Sequence, residues 1–327
     1  MKTPISSGVI TNYNCTAECE HCMFASSPDC KKDYITREMS GKVSELLYRA
    51  GAYSVHIGGG EPFMDFDGLC GLISALKKYG IYIDYIETNG YWAKDEAFAR
   101  RRLEVLKRLG VETIMVSVDP YHIEYVPLER PLRLIELLRE YGFDYFVWQQ
   151  KFLQRLLKLD ISKTHTKEEL EAVLGKDYLT ETAREYGLGI NGRALSFADK
   201  LYEKKSYEHF ATDEKCPSLT HPNHCHIDLY GKAVPSRCTG ICAEAEDYLS
   251  SDIDGDKYPV LSRLISGGTK ELYEYAKKCG FTPARDGYPT RCAFCFDMRR
   301  YLKQNNPSSD LDSAHFYESM AKSVRFD

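Results

Sequence analysis

The chain has 327 residues, room for one large domain or for one domain with a substantial appendage. It is 43% hydrophobic and 28% charged with a net charge of −5, a globular composition that offers no broad basic surface and speaks against a nucleic-acid substrate. No apolar run approaches the roughly 20 residues of a membrane span, and the opening MKTPISSG lacks the apolar stretch of a secretory signal, so a cytoplasmic location is expected.

In chain order, GVITNYN (8–14) reads as a strand leading into a cysteine-rich loop. ITREMSGKVSELLYRAG has helical apolar spacing and stops at Gly51. YSVHI (53–57) is the second strand and runs into Gly58-Gly59-Gly60-Glu61-Pro62. Helical spacing over 66–79 leads to the strand IYIDYIET (81–88), which ends at Asn89-Gly90. A helix over 95–109 precedes ETIMVSVD (112–119), and one over 129–141 precedes FDYFVWQ (143–149). Alternation of this kind predicts βαβ units, hence an α/β fold built as a partial (β/α)6 TIM-like barrel over roughly residues 8–200. Right-handed crossovers put every strand's C-terminal end on one face, where such folds carry out their chemistry.

Residues 151–186 are helical with a break near Gly175, and GLGINGRAL (187–195) follows. A cysteine-rich part begins at Cys216 and includes the strand-like HIDLYG (226–231), so the chain divides softly near 205. The expected domains are a core over 1–205 and a C-terminal module over 206–327.

The chain holds twelve cysteines, too many for core filling, and a reducing compartment disfavours disulfides. Cys70 lies in an apolar helical pattern and reads as a small core residue. Cys30 and Cys279 have no partner at ligand spacing and read the same way. Cys15-x3-Cys19-x2-Cys22 offers three thiolates in one short loop, the soft donors that suit an iron–sulfur cubane. A structural zinc site would want a fourth protein ligand, and His21, wedged between two of the cysteines, is poorly placed to be one.

This CxxxCxxC loop resembles that of the radical S-adenosylmethionine (radical SAM) superfamily. The resemblance implies a 4Fe–4S cluster on Cys15, Cys19 and Cys22 whose open iron binds S-adenosylmethionine. It also implies reductive cleavage to a 5′-deoxyadenosyl radical that abstracts hydrogen, with flavodoxin or ferredoxin as the reductant. Gly59-Gly60-Glu61-Pro62 matches the family's GGEP segment, which meets the cofactor's ammonium. By the same resemblance Ser117 reaches ribose or carboxylate, Asn89 lies close to the cofactor and Gly187–Arg193 lines the adenine. Arg193 has the guanidinium to pair the cofactor carboxylate, and Phe24 is the nearby aromatic for adenine, because His21 fills the usual aromatic position.

A second set of cysteines exceeds the needs of one cluster. Cys216, a strand, the turn residue Gly231, Cys238 and the distant pair Cys292-x2-Cys295 resemble the auxiliary-cluster modules called twitch and SPASM. The cysteine count suits the single auxiliary 4Fe–4S cluster of the twitch case, ligated by Cys216, Cys238, Cys292 and Cys295. Cys225 stands as a substitute for Cys216, Cys242 has no assigned part, and zinc on the same four thiolates needs no different sequence.

Such a cluster would accept an electron or contact substrate, which is expected to be a small molecule or short peptide. His122, on the loop after Asp119, is a candidate acid or base. A non-catalytic iron–sulfur or zinc module would account for the cysteines but not for GGEP, Asn89 and Ser117 at successive strand ends. An RNA-modifying radical enzyme is disfavoured by the acidic charge.

Overall fold

The structure, a computed structural model, describes residues 6–220, 224–250, 253–311, 313 and 315–326. Five strands alternate with helices as the apolar spacing predicts: β1 (Ser6–Ile10), α1 (Arg37–Arg49), β2 (Ser54–Gly58), α2 (Phe66–Lys78), β3 (Tyr82–Thr88), α3 (Glu96–Arg108), β4 (Thr113–Ser117), α4 (Glu129–Glu140) and β5 (Asp144–Trp148). Each strand pairs in parallel with the next, giving the open, partial TIM-like α/β barrel.

Helices α1, α2 and α3 begin where a side chain satisfies one of their first N–H groups. Thr36, Asp65 and Asp95 accept from Met39 N, Gly68 N and Phe98 N at 3.1, 2.9 and 2.7 Å. In α2, Leu69, Leu72, Ile73 and Leu76 form one fully buried stripe at helical spacing against the sheet. Burying each such side chain stabilises the fold by about 1.5–3 kcal/mol.

Over residues 8–200 the structure has five parallel strands, and the sixth parallel strand comes from beyond the expected boundary. β6 (His224–Asp228) pairs with the far edge of β1, with Ser6 opposite His224, Gly8 opposite His226 and Ile10 opposite Asp228. β7 (Lys232–Pro235) and the short β8 (Ala243–Glu244) continue antiparallel, so the sheet reads β5-β4-β3-β2-β1-β6-β7-β8. The β6–β7 turn holds Gly231 at φ +79°, where glycine is favoured, and Asp228 accepts from Tyr230 N and Lys232 N at 3.0 Å. Two helices cover this second part, α5 (Pro259–Lys278) and α6 (Arg291–Asn305). No helix among the described residues is long and apolar enough to cross a membrane.

Candidate active site

The segments leaving β1 and β2 are stitched together: Gly60 N donates to Asn12 O at 2.7 Å and Glu61 N to Asn14 O at 3.1 Å. A Cβ on Gly60 would stand 2.1 Å from Asn14 O, so only glycine permits this approach. Glu61 is buried, and its carboxylate accepts from Phe63 N, Thr88 Oγ1 and Asn89 N at 3.1, 2.9 and 2.8 Å. Burial pushes its pKa up to about 7 against those hydrogen bonds. Glu61 therefore ties the end of β2 to the end of β3. Asn89 Nδ2 in turn donates to Thr16 Oγ1 at 3.1 Å and to Cys15 Sγ at 3.7 Å, and Ala17 N reaches the same sulfur at 3.4 Å.

A cavity of about 810 Å³ opens at these strand ends. Cys15, Cys19 and Cys22 line it together with Phe24, Gly59–Pro62, Asn89, Ser117 and His122. Gly187, Leu188, Gly189 and Asn191 close another side. His122 Nδ1 lies 2.6 Å from Asp119 Oδ2, and Asp119 also accepts from Tyr121 N and His122 N at 2.9 and 3.1 Å. Burial opposes charge on both partners, yet their mutual attraction and hydrogen bond prevail, raising the pKa of His122 and lowering that of Asp119. His21 stacks on Trp148 at 5.0 Å and tilts against Tyr121 at 4.4 Å, and burial pushes its pKa down to about 3.

A second cavity, of about 220 Å³, is lined by Cys216, Cys238, Cys292 and Cys295. Cys238 follows β7, its N–H donating to Pro235 O at 2.7 Å. Cys292 and Cys295 occupy the first turn of α6, whose cap Thr290 accepts from Ala293 N at 3.0 Å. The i, i+3 spacing turns both toward one side; burial raises the pKa of both thiols, with Arg299 and Arg291 opposing it. Arg299, one turn later, is buried beside them, with Nη1 on Thr239 O at 2.8 Å and Nε without a partner. Gly189, Asn191 and Arg237 line both cavities and form the partition between them.

Residues 9–150 match the family model described as the radical SAM superfamily. That segment carries the radical SAM domain. The chain is 30% identical over 131 residues to the putative peptide biosynthesis protein YydG of Bacillus subtilis strain 168, a match covering 39% of this chain and 40% of that relative. The chain thus matches well under half the length of that relative. Among solved structures, BtrN in complex with AdoMet and 2-DOIA is similar over 85% of this chain and 91% of its own, at 13% identity and a TM-score of 0.48. Streptococcus suis SuiB bound to S-adenosylmethionine is similar over 89% of this chain and 77% of its own, at 14% identity and a TM-score of 0.39. Scores this low speak to no shared detail of site or substrate.

The donors around the radical SAM cavity fit the cofactors of the family. Three thiols face one space, N–H groups point at the Cys15 sulfur, and the volume lies within the usual 300–1,000 Å³ of a small-molecule site. Arg193 is not among the residues lining the cavity; its Nε donates to Cys19 O at 2.9 Å and its Nη2 to Ser26 O, while Nη1 lies 3.9 Å from Glu18. Two of its guanidinium nitrogens thus brace the carbonyls of the cysteine loop, while the buried Nη1 has no hydrogen-bond partner.

Around the second cavity the structure brings together Cys216, Cys238, Cys292 and Cys295, but not Cys225, which is fully buried within β6. Cys242 lies apart from both cavities, its Sγ 3.7 Å from Ser309 O. Cys30, Cys70 and Cys279 line neither.

Sequence reasoning passed over three histidines in the large cavity: His56 on β2, with His224 and His226 on β6. The alternation in HCHID already puts His224 and His226 on one face of a strand. Their meeting with His56 depends on β6 pairing with β1, which no local pattern discloses.

Proposed function

We propose that the chain abstracts hydrogen from a short peptide segment, or a small molecule of similar size, held in the large cavity, with Cys15, Cys19 and Cys22 as ligands of the catalytic 4Fe–4S cluster. When bound, that cluster and S-adenosylmethionine supply the electron and the 5′-deoxyadenosyl radical of the family's chemistry. One observation carries this reading: the motif residues at the ends of four successive strands converge on a single cavity with those cysteines. Because the Glu61 carboxylate already accepts from three groups of its own chain, the Gly59–Gly60 backbone is the better acceptor for the cofactor's ammonium. Ser117 offers a hydroxyl from the end of β4, while Phe24 and Gly187–Asn191 supply surface for the adenine. His122, its proton held by Asp119, acts as a donor toward a substrate carbonyl or carboxylate rather than as a base. The peptide preference rests on the similarity to a peptide biosynthesis protein.

The second cavity is assigned to an auxiliary 4Fe–4S cluster on Cys216, Cys238, Cys292 and Cys295. Its 220 Å³ far exceeds the roughly 10–15 Å³ that one water-sized occupant needs, which favours a cluster over a lone zinc ion. The unpartnered Arg299 Nε suits an anionic occupant. In this reading the boundary near 205 separates the cysteines of the two clusters, while both cavities draw on residues from either side of it, and a flavodoxin or ferredoxin delivers the electron. The test is anaerobic reconstitution followed by reduction with S-adenosylmethionine present. Formation of 5′-deoxyadenosine is expected, and a deuterium-labelled peptide screen then finds the substrate. No 5′-deoxyadenosine from protein with a full iron complement would reject the reading.

A further inference from the structure

We propose that His56, His224 and His226 form a mononuclear site for a divalent transition metal in the wall of the large cavity, separate from both cysteine sets. The backbone builds it. β1 lies between β2 and β6, with Gly8 opposite His56 on one side and His226 on the other. A Cβ at Gly8 would stand 2.5 Å from both His56 Cε1 and His226 Cδ2, so the missing side chain is the gap through which imidazoles from two non-adjacent strands meet. His224 lies two residues before His226 on the same face.

The donor atoms of all three lie within 4.8 Å of one another. His224 Nε2 and His226 Nε2 are 3.3 Å apart. Two nitrogens bound at about 2.0–2.1 Å to one tetrahedral zinc stand about 3.3–3.4 Å apart, so this edge already has a metal site's dimension. His224 Nδ1 is 2.5 Å from Ser6 Oγ; a proton on Nδ1, donated to that oxygen, leaves Nε2 with the lone pair a metal needs. His226 is buried with Nδ1 unpartnered. His56 Nε2 lies 3.8 Å from Glu87 Oε1, a carboxylate that would offset part of a dication's charge.

Imidazole donors select zinc and the later first-row metals over magnesium or calcium. A three-histidine set keeps a position for water or for an oxygen donor. Since all three residues face the large cavity, that donor is a carboxylate or amide carbonyl of whatever the cavity holds. The site stands on its own residues and does not depend on the radical reaction.

The experiment adds zinc to the full-length protein after its iron–sulfur sites are reconstituted, then removes excess metal. One zinc per chain with nitrogen and oxygen scatterers at about 2.0–2.1 Å in X-ray absorption is expected. Chelator competition should show Ser6→Ala weakening zinc binding by about 10–100-fold, with His56→Ala and His226→Ala weakening it further. The exposed His209→Ala should change nothing. Absence of extra zinc, zinc bound through sulfur at about 2.3 Å, or zinc retained in the histidine variants would overturn the proposal. Because the wild-type spectrum alone discriminates nitrogen from sulfur, a variant that fails to fold does not block the test.

Discussion

Arg193 and the Asp119–His122 pair show how single side chains set the state of the cavity wall. Replacing Arg193 by alanine leaves the buried Ser26 carbonyl without its donor, at a cost of about 1–3 kcal/mol, and takes from the Cys19 carbonyl one of its two donors, the other being Cys22 N. The expected result is a cysteine loop that retains iron poorly, with Arg193→Lys only partly restoring it, because a single ammonium cannot span both carbonyls as the fork does. Iron content after reconstitution checks this. Cys19→Ala should act more sharply, abolishing 5′-deoxyadenosine formation while leaving iron at the second cavity, since three ligands tolerate no loss; retained cleavage would refute the assignment. For the pair, the raised pKa of His122 gives stability that is full below its unfolded value of about 6.5 and fades as pH rises through the folded one. The lowered pKa of Asp119 gives stability present above about 3.9 and lost as pH falls through its folded value. Asp119→Ala should therefore cost about 3–5 kcal/mol at pH 6 and distinctly less at high pH. Urea unfolding at pH 6 and pH 9 measures the difference, and an equal cost at both would show that the pair is not charged.

At the scale of elements, the position of β1 controls more than its five residues suggest. Gly8→Ala inserts a methyl group where His56 and His226 already meet, an overpacking expected to cost about 1–3 kcal/mol and to lower the denaturation midpoint. An unchanged midpoint would mean that the strands part easily there. Helices α1 to α4 and strands β1 to β5 were legible in the sequence because apolar spacing and caps such as Asp65 and Asp95 act within a few residues of chain. The hairpin around Gly231 was legible for the same reason. The origin of the sixth parallel strand was not, because Val9 and Ile227 carry the same β-type signal whichever neighbour they take. The cysteine loop could be read from its spacing, and the GGEP turn from its resemblance to the family's segment beside that loop. A lone arginine such as Arg193 does not disclose which carbonyls it will meet. Within β6 the side chains alternate, so Cys225 points away from the face that carries His224 and His226, whereas Cys216 lines the second cavity.

Across the whole molecule, the two cavities share a wall of Gly189, Asn191 and Arg237, with Asn191 Nδ2 bonded to Arg237 O. The double variant Cys292→Ala, Cys295→Ala should lose about four irons per chain and keep the first cluster; loss of one zinc with no change in iron would transfer the second cavity to zinc. A chain cut after residue 205 lacks β6 and leaves β1 as an unpaired parallel edge. Such a fragment should aggregate rather than fold, as light scattering would report, whereas a soluble, cooperatively unfolding fragment would make the boundary a folding boundary too.

The same pairing has a consequence in time. Ser6 and His224 are 218 residues apart in sequence, so β1 is sealed on its second side only after that further length of chain has been synthesised. Loop-closure entropy makes so distant a contact slow to form. Until it forms, the growing polypeptide carries a bare strand edge open to mispairing, an interval in which a chaperone that shields extended backbone would raise the yield of native protein.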